Sequence, residues 1–390
     1  MMTDRCPTDA SVRTVLLPLD GSERAETAIE IAQTLATRAG TQVVLLRAAL
    51  AQTTPESSST SAQREVSRVV SEARQYLAAV EKRLRERRIS CRSVVPYGPS
   101  ADSVIANAEL QQADLVIMSA HGATGPNRWN HGGVADKIVQ GLSRPVLLVQ
   151  GSPGKPVTGR ILVPLDGSEL AETILDQVST IARCFGSGVT LLTVLTPDDP
   201  GHAFASQSCP AGRPSDSTSE ARATTYLEGI AANLRKRDVE TRVEVIEGQP
   251  ADEILRRATR ADVALVAISA HGLSGIGRWV YGSVATKVLH QSTRPVLLYR
   301  SSAARPSGEH PTVIRRCHNC GRPVYRHVIA ALDVCPLCGF PLRVCANCVH
   351  FDGVVCDMDN PWGGGIYAHN PCDDFDFRET SRANCAARGR

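Results

Sequence analysis

Residues 268–289, ISAHGLSGIGRWVYGSVATKVL, set Gly272, Gly275, Gly277 and the pair Gly282-Ser283 between an apolar run and an amphipathic pattern. Glycines between a strand and a helix let backbone amides approach an anion without Cβ interference. The helix start adds unpaired N–H groups and the positive end of the dipole, so the chemistry of this stretch is phosphate binding. No Walker-type lysine follows a glycine loop and no nucleophile is paired with a base, so dedicated catalysis is not expected. His271 and its counterpart His121 read as loop-ordering hydrogen-bonders.

A second chemistry is concentrated in the tail. Of 13 cysteines, nine lie from Cys317 onward. Cys317-His-Asn-Cys320-Gly and Cys335-Pro-Leu-Cys338-Gly stand 14 residues apart. Four thiolates so spaced satisfy tetrahedral zinc, and the glycine after each pair allows the tight turn. Cys345, Cys348, Cys356 and Cys372 follow at irregular spacing, where four thiolates hold either a second zinc or a 4Fe-4S cluster. Zinc is slightly favoured, with His350 a substitute ligand and Cys385 spare. A tail poor in aliphatics needs such a staple.

These groups must be positioned by a repeated scaffold. His121 and His271 lie 150 residues apart, as do Trp129 and Trp279, and LLPLDGSERAET at Leu16 returns as LVPLDGSELAET at Leu162. Two copies of one domain explain this better than a solenoid, whose periods are shorter. In the first copy, strands are expected at Val15 to Leu19, Thr41 to Ala48, Cys91 to Pro96, Leu115 to Met118 and Pro145 to Val149. Helices are expected at Ala25 to Thr37, Arg64 to Arg87, Ser100 to Glu109 and from the glycine loop through Gln140. The Ser/Thr-rich AQTTPESSSTSAQ reads as a connection. Such alternation implies a parallel sheet wound on both faces, with ligands beyond the carboxyl ends of its strands. The expected domains are 12–150, 159–300 and a cysteine-rich module, 313–390.

Together PLDGS, the glycine loop, GQPADEI and STRPVLLY resemble the universal stress protein family in its tandem two-domain form, over residues 12–300. The resemblance implies two doubly wound, Rossmann-like α/β domains, joined here to a zinc-ribbon-like module. ATP-binding members carry G-x2-G-x9-G-[ST] after the fourth strand and an aspartate after the first. The matching positions in the second copy are Ser269, Gly272, Gly282 and Ser283, with Asp166. Asp166 and Val194 are thereby expected near adenine and ribose, and Gly272, Gly282, Ser283 and Val284 around the phosphates. The first copy offers Asp20, Ser119, Gly122, Gly132 and Gly133, without the Ser/Thr hydroxyl, and reads as a degenerate site. Family domains pair across their last strands, so Pro145–Val149 and Pro295–Tyr299 are expected to form an intramolecular pseudo-dimer.

Hydrophobic residues at 42% and a net charge of +3 describe an ordinary globular chain, with no electrostatic case for a nucleic acid or membrane partner. The terminus lacks an apolar signal core and no run reaches membrane-spanning length, so a cytoplasmic location is expected. The leading function is a non-catalytic, ATP-binding stress or signalling protein, with slow hydrolysis at most. Its metal-bound tail docks a protein partner or senses redox state. The rivals are a nucleotide-free, metal-dependent scaffold and an iron–sulfur redox sensor.

Overall fold

The computed structural model describes residues 12–50, 59–120, 133–142, 144–150, 159–196, 219–269, 282–300, 313–316, 323–324 and 379–381. The first copy supplies β1 (Thr14–Pro18), α1 (Glu23–Ala39), β2 (Gln42–Leu46), α2 (Ser59–Glu86), β3 (Cys91–Val94), α3 (Ser100–Leu110), β4 (Leu115–Ser119), α4 (Val134–Gly141) and β5 (Val146–Val149). The second supplies β6 (Arg160–Pro164), α5 (Glu169–Glu172), α6 (Leu175–Phe185), β7 (Val189–Leu195), α7 (Ser219–Arg235), β8 (Thr241–Glu247), α8 (Pro250–Ala258), β9 (Val263–Ser269), α9 (Ser283–Gln291) and β10 (Val296–Tyr299). In the tail, β11 (Val313–Arg316) pairs antiparallel with β12 (Pro323–Val324) and with β13 (Glu379–Ser381).

Ten strands form one sheet in the order β3-β2-β1-β4-β5-β10-β9-β6-β7-β8. Each copy therefore carries the same order, with its first and fourth strands adjacent and its crossovers running in opposite directions from that point. Strands of such a sheet are buried on both faces and need unbroken apolar runs. Strand β9, VALVAIS, is buried along its whole length, and the centre of β1 likewise. The copies meet where β10 pairs antiparallel with β5, Leu297 opposite Leu147, which is the expected pairing of last strands. Reciprocal side chains reinforce that seam: Gln150 donates to the Leu289 carbonyl at 2.8 Å, and Arg300 to the Leu142 carbonyl at 3.3 Å. Each thus caps the carboxyl end of a helix belonging to the other copy.

Two elements differ from the sequence expectation. Helix α2 begins at Ser59, ahead of the expected start at Arg64 and inside the Ser/Thr-rich stretch expected to be connection. Where α1 is one helix of 17 residues, the second copy breaks into α5 and α6 at Thr173 and Ile174. The Thr173 hydroxyl there engages both its own helix and Ser269 on β9.

Beneath β6, Arg160 is buried and ties three strands together. Its Nε donates to Thr190 Oγ1 at 3.0 Å, Nη1 to Glu240 Oε1 at 2.7 Å, and Nη2 to the carbonyls of Val189 and Glu240 at 2.6 and 3.1 Å. Gly188 makes room for it, since a Cβ there would lie 2.5 Å from Nη1. Arg294, whose Arg-Pro pair repeats Arg144-Pro145 of the first copy, donates to the carbonyls of Ala258 and Arg260 at 3.2 and 2.9 Å and so caps the carboxyl end of α8.

Gly248 turns the chain from β8 into α8 at φ 149°, and a Cβ would meet Glu253 Cγ at 2.8 Å. Backbone in this region is essentially reserved for glycine. Gly248→Ala is expected to cost about 1–3 kcal/mol. A urea titration would read this as a lower midpoint at an unchanged m-value. An unmoved midpoint would show that the turn relaxes without strain.

No helix among the described residues is long and apolar enough to cross a membrane. The chain divides into two compact units, Met1–Leu45 with Glu81–Arg92 and Gln111–Arg305, and Leu46–Val80 with Ser93–Leu110 and Pro306–Arg390. In the second of these, Ala49, Ala73 and Tyr97 form a small apolar cluster with Val66, Val69 and Val70 packed against it. The cavity described next lies wholly within the first.

Candidate functional site

At the carboxyl ends of the second copy's strands the two turns that matter are built by short-range hydrogen bonds. After β6, Asp166 Oδ1 accepts from the Ser168 amide at 3.0 Å and its hydroxyl at 2.6 Å. Ser168 in turn caps α5 by accepting from the Ala171 amide. The Asp-Gly-Ser motif therefore builds a tight turn and starts a helix, and this structural use stands beside any contact with a ligand. The first copy repeats it, with Asp20 Oδ1 accepting from Ser22 at 2.9 and 2.6 Å.

The point where the strand order reverses lies between β6 and β9, and a cavity of about 360 Å³ opens there. Asp166 comes from the end of β6, Val194 from β7, Ser269 from the end of β9, and Gly282, Ser283 and Val284 from the start of α9. Six expected positions, spread over more than 100 residues, thus share one wall. Gly272 lies outside the described residues, as do Gly122 and Gly132 of the first copy. The eight expected metal ligands, Cys317, Cys320, Cys335, Cys338, Cys345, Cys348, Cys356 and Cys372, also lie outside them. Among the described residues no group of three or more His, Cys, Asp or Glu is placed to hold a metal.

Beyond Val194 and Val284, sequence reasoning did not find the apolar part of the site. Leu192 stands two residues before Val194 on the same face of β7, while Pro250 and Ile254 stand one turn apart on α8. The signal was available as the period-2 and i, i+4 spacing of these residues. The cavity pairs this apolar wall with a few polar groups, the composition expected of a small-molecule site.

Helix α9 has Gly282 as its N-cap, with no side-chain bond to the first turn, as at the N-caps of α8 and α4. It differs from both in that its first turn holds no acid. Helix α8 carries Asp252 and Glu253 in its first turn, and α4 carries Asp136, which is 2% exposed. Thr286 occupies the place 150 residues after Asp136. The second copy therefore leaves its helix start without an acid of its own, whereas the first supplies a carboxylate. Gly282 has φ −52° and ψ 151°, which any residue can adopt. A requirement for glycine here would come from close approach to another group.

Nearby, burial, reinforced by the charges of Glu172 and Asp166, pushes the Tyr226 phenol well above its ordinary range. Its hydroxyl stays protonated and donates to Glu172 Oε1 at 3.0 Å. Tyr226 is a structural donor rather than a base.

Comparison with known proteins matches the pattern of the universal stress protein family twice, over residues 11–150 and 158–300. The chain belongs to the universal stress protein family. Its two copies are tandem domains of that family, and membership carries a stress-response role. Universal stress protein YxiE of Bacillus subtilis (strain 168) is 30% identical over 153 residues, covering 36% of this chain and 98% of that protein. Universal stress protein Rv2005c of Mycobacterium tuberculosis is 24% identical over 247 residues, 59% of this chain and 78% of that one. The crystal structure of a universal stress protein from Archaeoglobus fulgidus DSM 4304 superposes with a TM-score of 0.57 at 17% identity, over 74% of this chain and 98% of that chain. That likeness is one of fold.

Proposed function

We propose that this universal stress protein is a non-catalytic, ATP-binding stress-response or signalling protein whose second copy holds the nucleotide. The observation that carries the reading is the convergence of Asp166, Val194, Ser269, Gly282, Ser283 and Val284 on one cavity at the strand-order reversal. The residues fit the group. The apolar wall of Leu192, Val194 and Ile254 suits a base, and Asp166 is an acceptor for sugar hydroxyls. The amides at the start of α9 and the Ser283 hydroxyl suit phosphates, which the acid-free first turn does not repel. Bound nucleotide would supply the signal, by shifting the conformation of the loops around the site. The first copy is read as degenerate, because Asp136 already brings a carboxylate to the matching helix start.

The tail is read as a metal module with zinc on Cys317, Cys320, Cys335 and Cys338, and a second zinc or a 4Fe-4S cluster on the later four cysteines. Support comes from the spacing and from the antiparallel pairing of β11 with β12, strands that flank residues 317–322. On this reading the tail docks a protein partner or senses redox state.

One experiment tests both halves. Anaerobically purified protein is denatured, released nucleotide is identified by chromatography, and metals are measured by elemental analysis. About one ATP per chain with two zincs is the expected result. Metal without nucleotide, and no uptake of added ATP, would replace the reading with that of a scaffold. Iron with labile sulfide would make the tail a redox centre.

A further inference from the structure

Ser269 stands where the ATP-binding pattern of the family has a glycine, and its proton is already spoken for. It is 4% exposed and lines the cavity. A serine or threonine hydroxyl has one hydrogen to give and two lone pairs with which to accept. Thr173 Oγ1 donates its hydrogen to the Leu170 carbonyl at 2.7 Å. Its 2.9 Å contact with Ser269 Oγ must then be made with the hydrogen of Ser269. Among the described residues the other acceptor for Ser269, the Ala171 carbonyl at 3.4 Å, would consume the same hydrogen. Either way the side chain faces a ligand as an acceptor.

Its position sharpens this. Leu162 on β6 is level with Val266 on β9, so Leu165 and Ser269, each three residues on, follow toward the same end of the two strands. Asp166, a second acceptor, is the next residue and lines the same cavity. The cavity therefore has an acceptor pole, Asp166 and Ser269, and a donor pole, the amides at the start of α9. Phosphate oxygens carry no hydrogen to offer the first pole and are drawn to the second. The donors of ATP are its two sugar hydroxyls and the base amine, and the sugar is the part joined directly to the phosphates.

We propose that Ser269 is a specificity-determining residue of this chain that accepts a hydrogen bond from a sugar hydroxyl of the bound nucleotide. The proposal rests on the nucleotide reading above. Where the pattern's glycine offers only backbone, Ser269 adds a side-chain acceptor whose direction is fixed by Thr173.

The test measures dissociation constants of ATP, 2′-deoxy-ATP, 3′-deoxy-ATP and inosine triphosphate for the full chain, Ser269→Ala and Ser269→Gly. The deoxy analogue that lacks the hydroxyl held by Ser269 is expected to bind the wild type about 3- to 10-fold more weakly than ATP, the worth of one hydrogen bond, whatever the other analogue loses at Asp166. Both variants should lose that ratio, binding ATP and the analogue alike. Each ratio is taken on a single protein, so a general loss of stability in a variant cancels. Discrimination retained in both variants would overturn the role of Ser269 while leaving the nucleotide reading intact. Loss of discrimination against inosine triphosphate instead would assign the contact to the base amine and overturn the sugar. A wild type that binds none of the four would overturn both readings.

Discussion

Gly282→Asp should make the protein slightly more stable and nearly unable to bind ATP. Gly282 is the N-cap of α9 and makes no side-chain bond to it. Aspartate is among the best N-caps and improves on glycine by a few tenths of a kcal/mol, roughly 0.3. The same carboxylate would stand where the phosphates are proposed to sit. Like charges brought together at a binding surface cost several kcal/mol, and each 1.4 kcal/mol is tenfold, so a loss of about 100-fold or more is expected. Thermal unfolding and nucleotide titration of one preparation read both effects. The opposite signs separate them from simple damage. Gly133→Asp, at the N-cap of α4, is the control and should leave ATP affinity unchanged. Wild-type affinity in Gly282→Asp would remove α9 from the site.

Arg160→Met is the other large effect, here on stability. The guanidinium is buried beneath β6 and satisfies Thr190, two backbone carbonyls and Glu240. Methionine fills part of the volume and none of the bonds. Stranding buried acceptors should cost about 3 kcal/mol. Glu240→Gln should cost much less, because the Glu240 side chain is 68% exposed and solvent takes up what Arg160 leaves. Its effect is legible in pH. Hydrogen bonding to Arg160, then the charge of Arg160, holds the Glu240 carboxyl below its ordinary range. A carboxyl lowered in the folded state binds fewer protons there than when unfolded. Its contribution is therefore complete above the unfolded value, about 4.3. It is lost as the pH falls below that value through the folded one. Denaturant midpoints from pH 7 to pH 3 should fall less steeply in Glu240→Gln. Parallel curves would show that the pair contributes nothing to acid stability.

The scaffold was readable because its signals are local. Apolar runs such as VALVAIS mark doubly buried strands, and Asp-Gly-Ser marks a turn entering a helix whether or not a ligand is present. The polar half of the cavity was readable because Asp166 and Gly282-Ser283 stand at strand and helix ends, where residue type has a narrow meaning. Leu192, Pro250 and Ile254 were not, since an apolar residue on a strand or helix looks the same whether it faces core or cavity. Asp136 was missed for a related reason. Its weight comes from standing in the first turn of α4, and the helix start is a boundary that sequence places only within a few residues. At the break between α5 and α6, Thr173 meets Ser269, which is 96 residues away in sequence. No local window contains that partner.

The antiparallel seam of β5 with β10 has a consequence for how the protein responds to ligand. A pair of family domains assembled from separate chains would come apart on dilution, and its two sites would be identical. Here the partner is supplied by the same chain, so pairing is intramolecular and does not depend on protein concentration. The two halves are also free to diverge, and on the proposed reading they have, with an acid at one helix start and none at the other. On that reading such a unit would have one nucleotide site and no twin to cooperate with. Its occupancy would follow a simple hyperbola in nucleotide concentration, at any abundance of the protein.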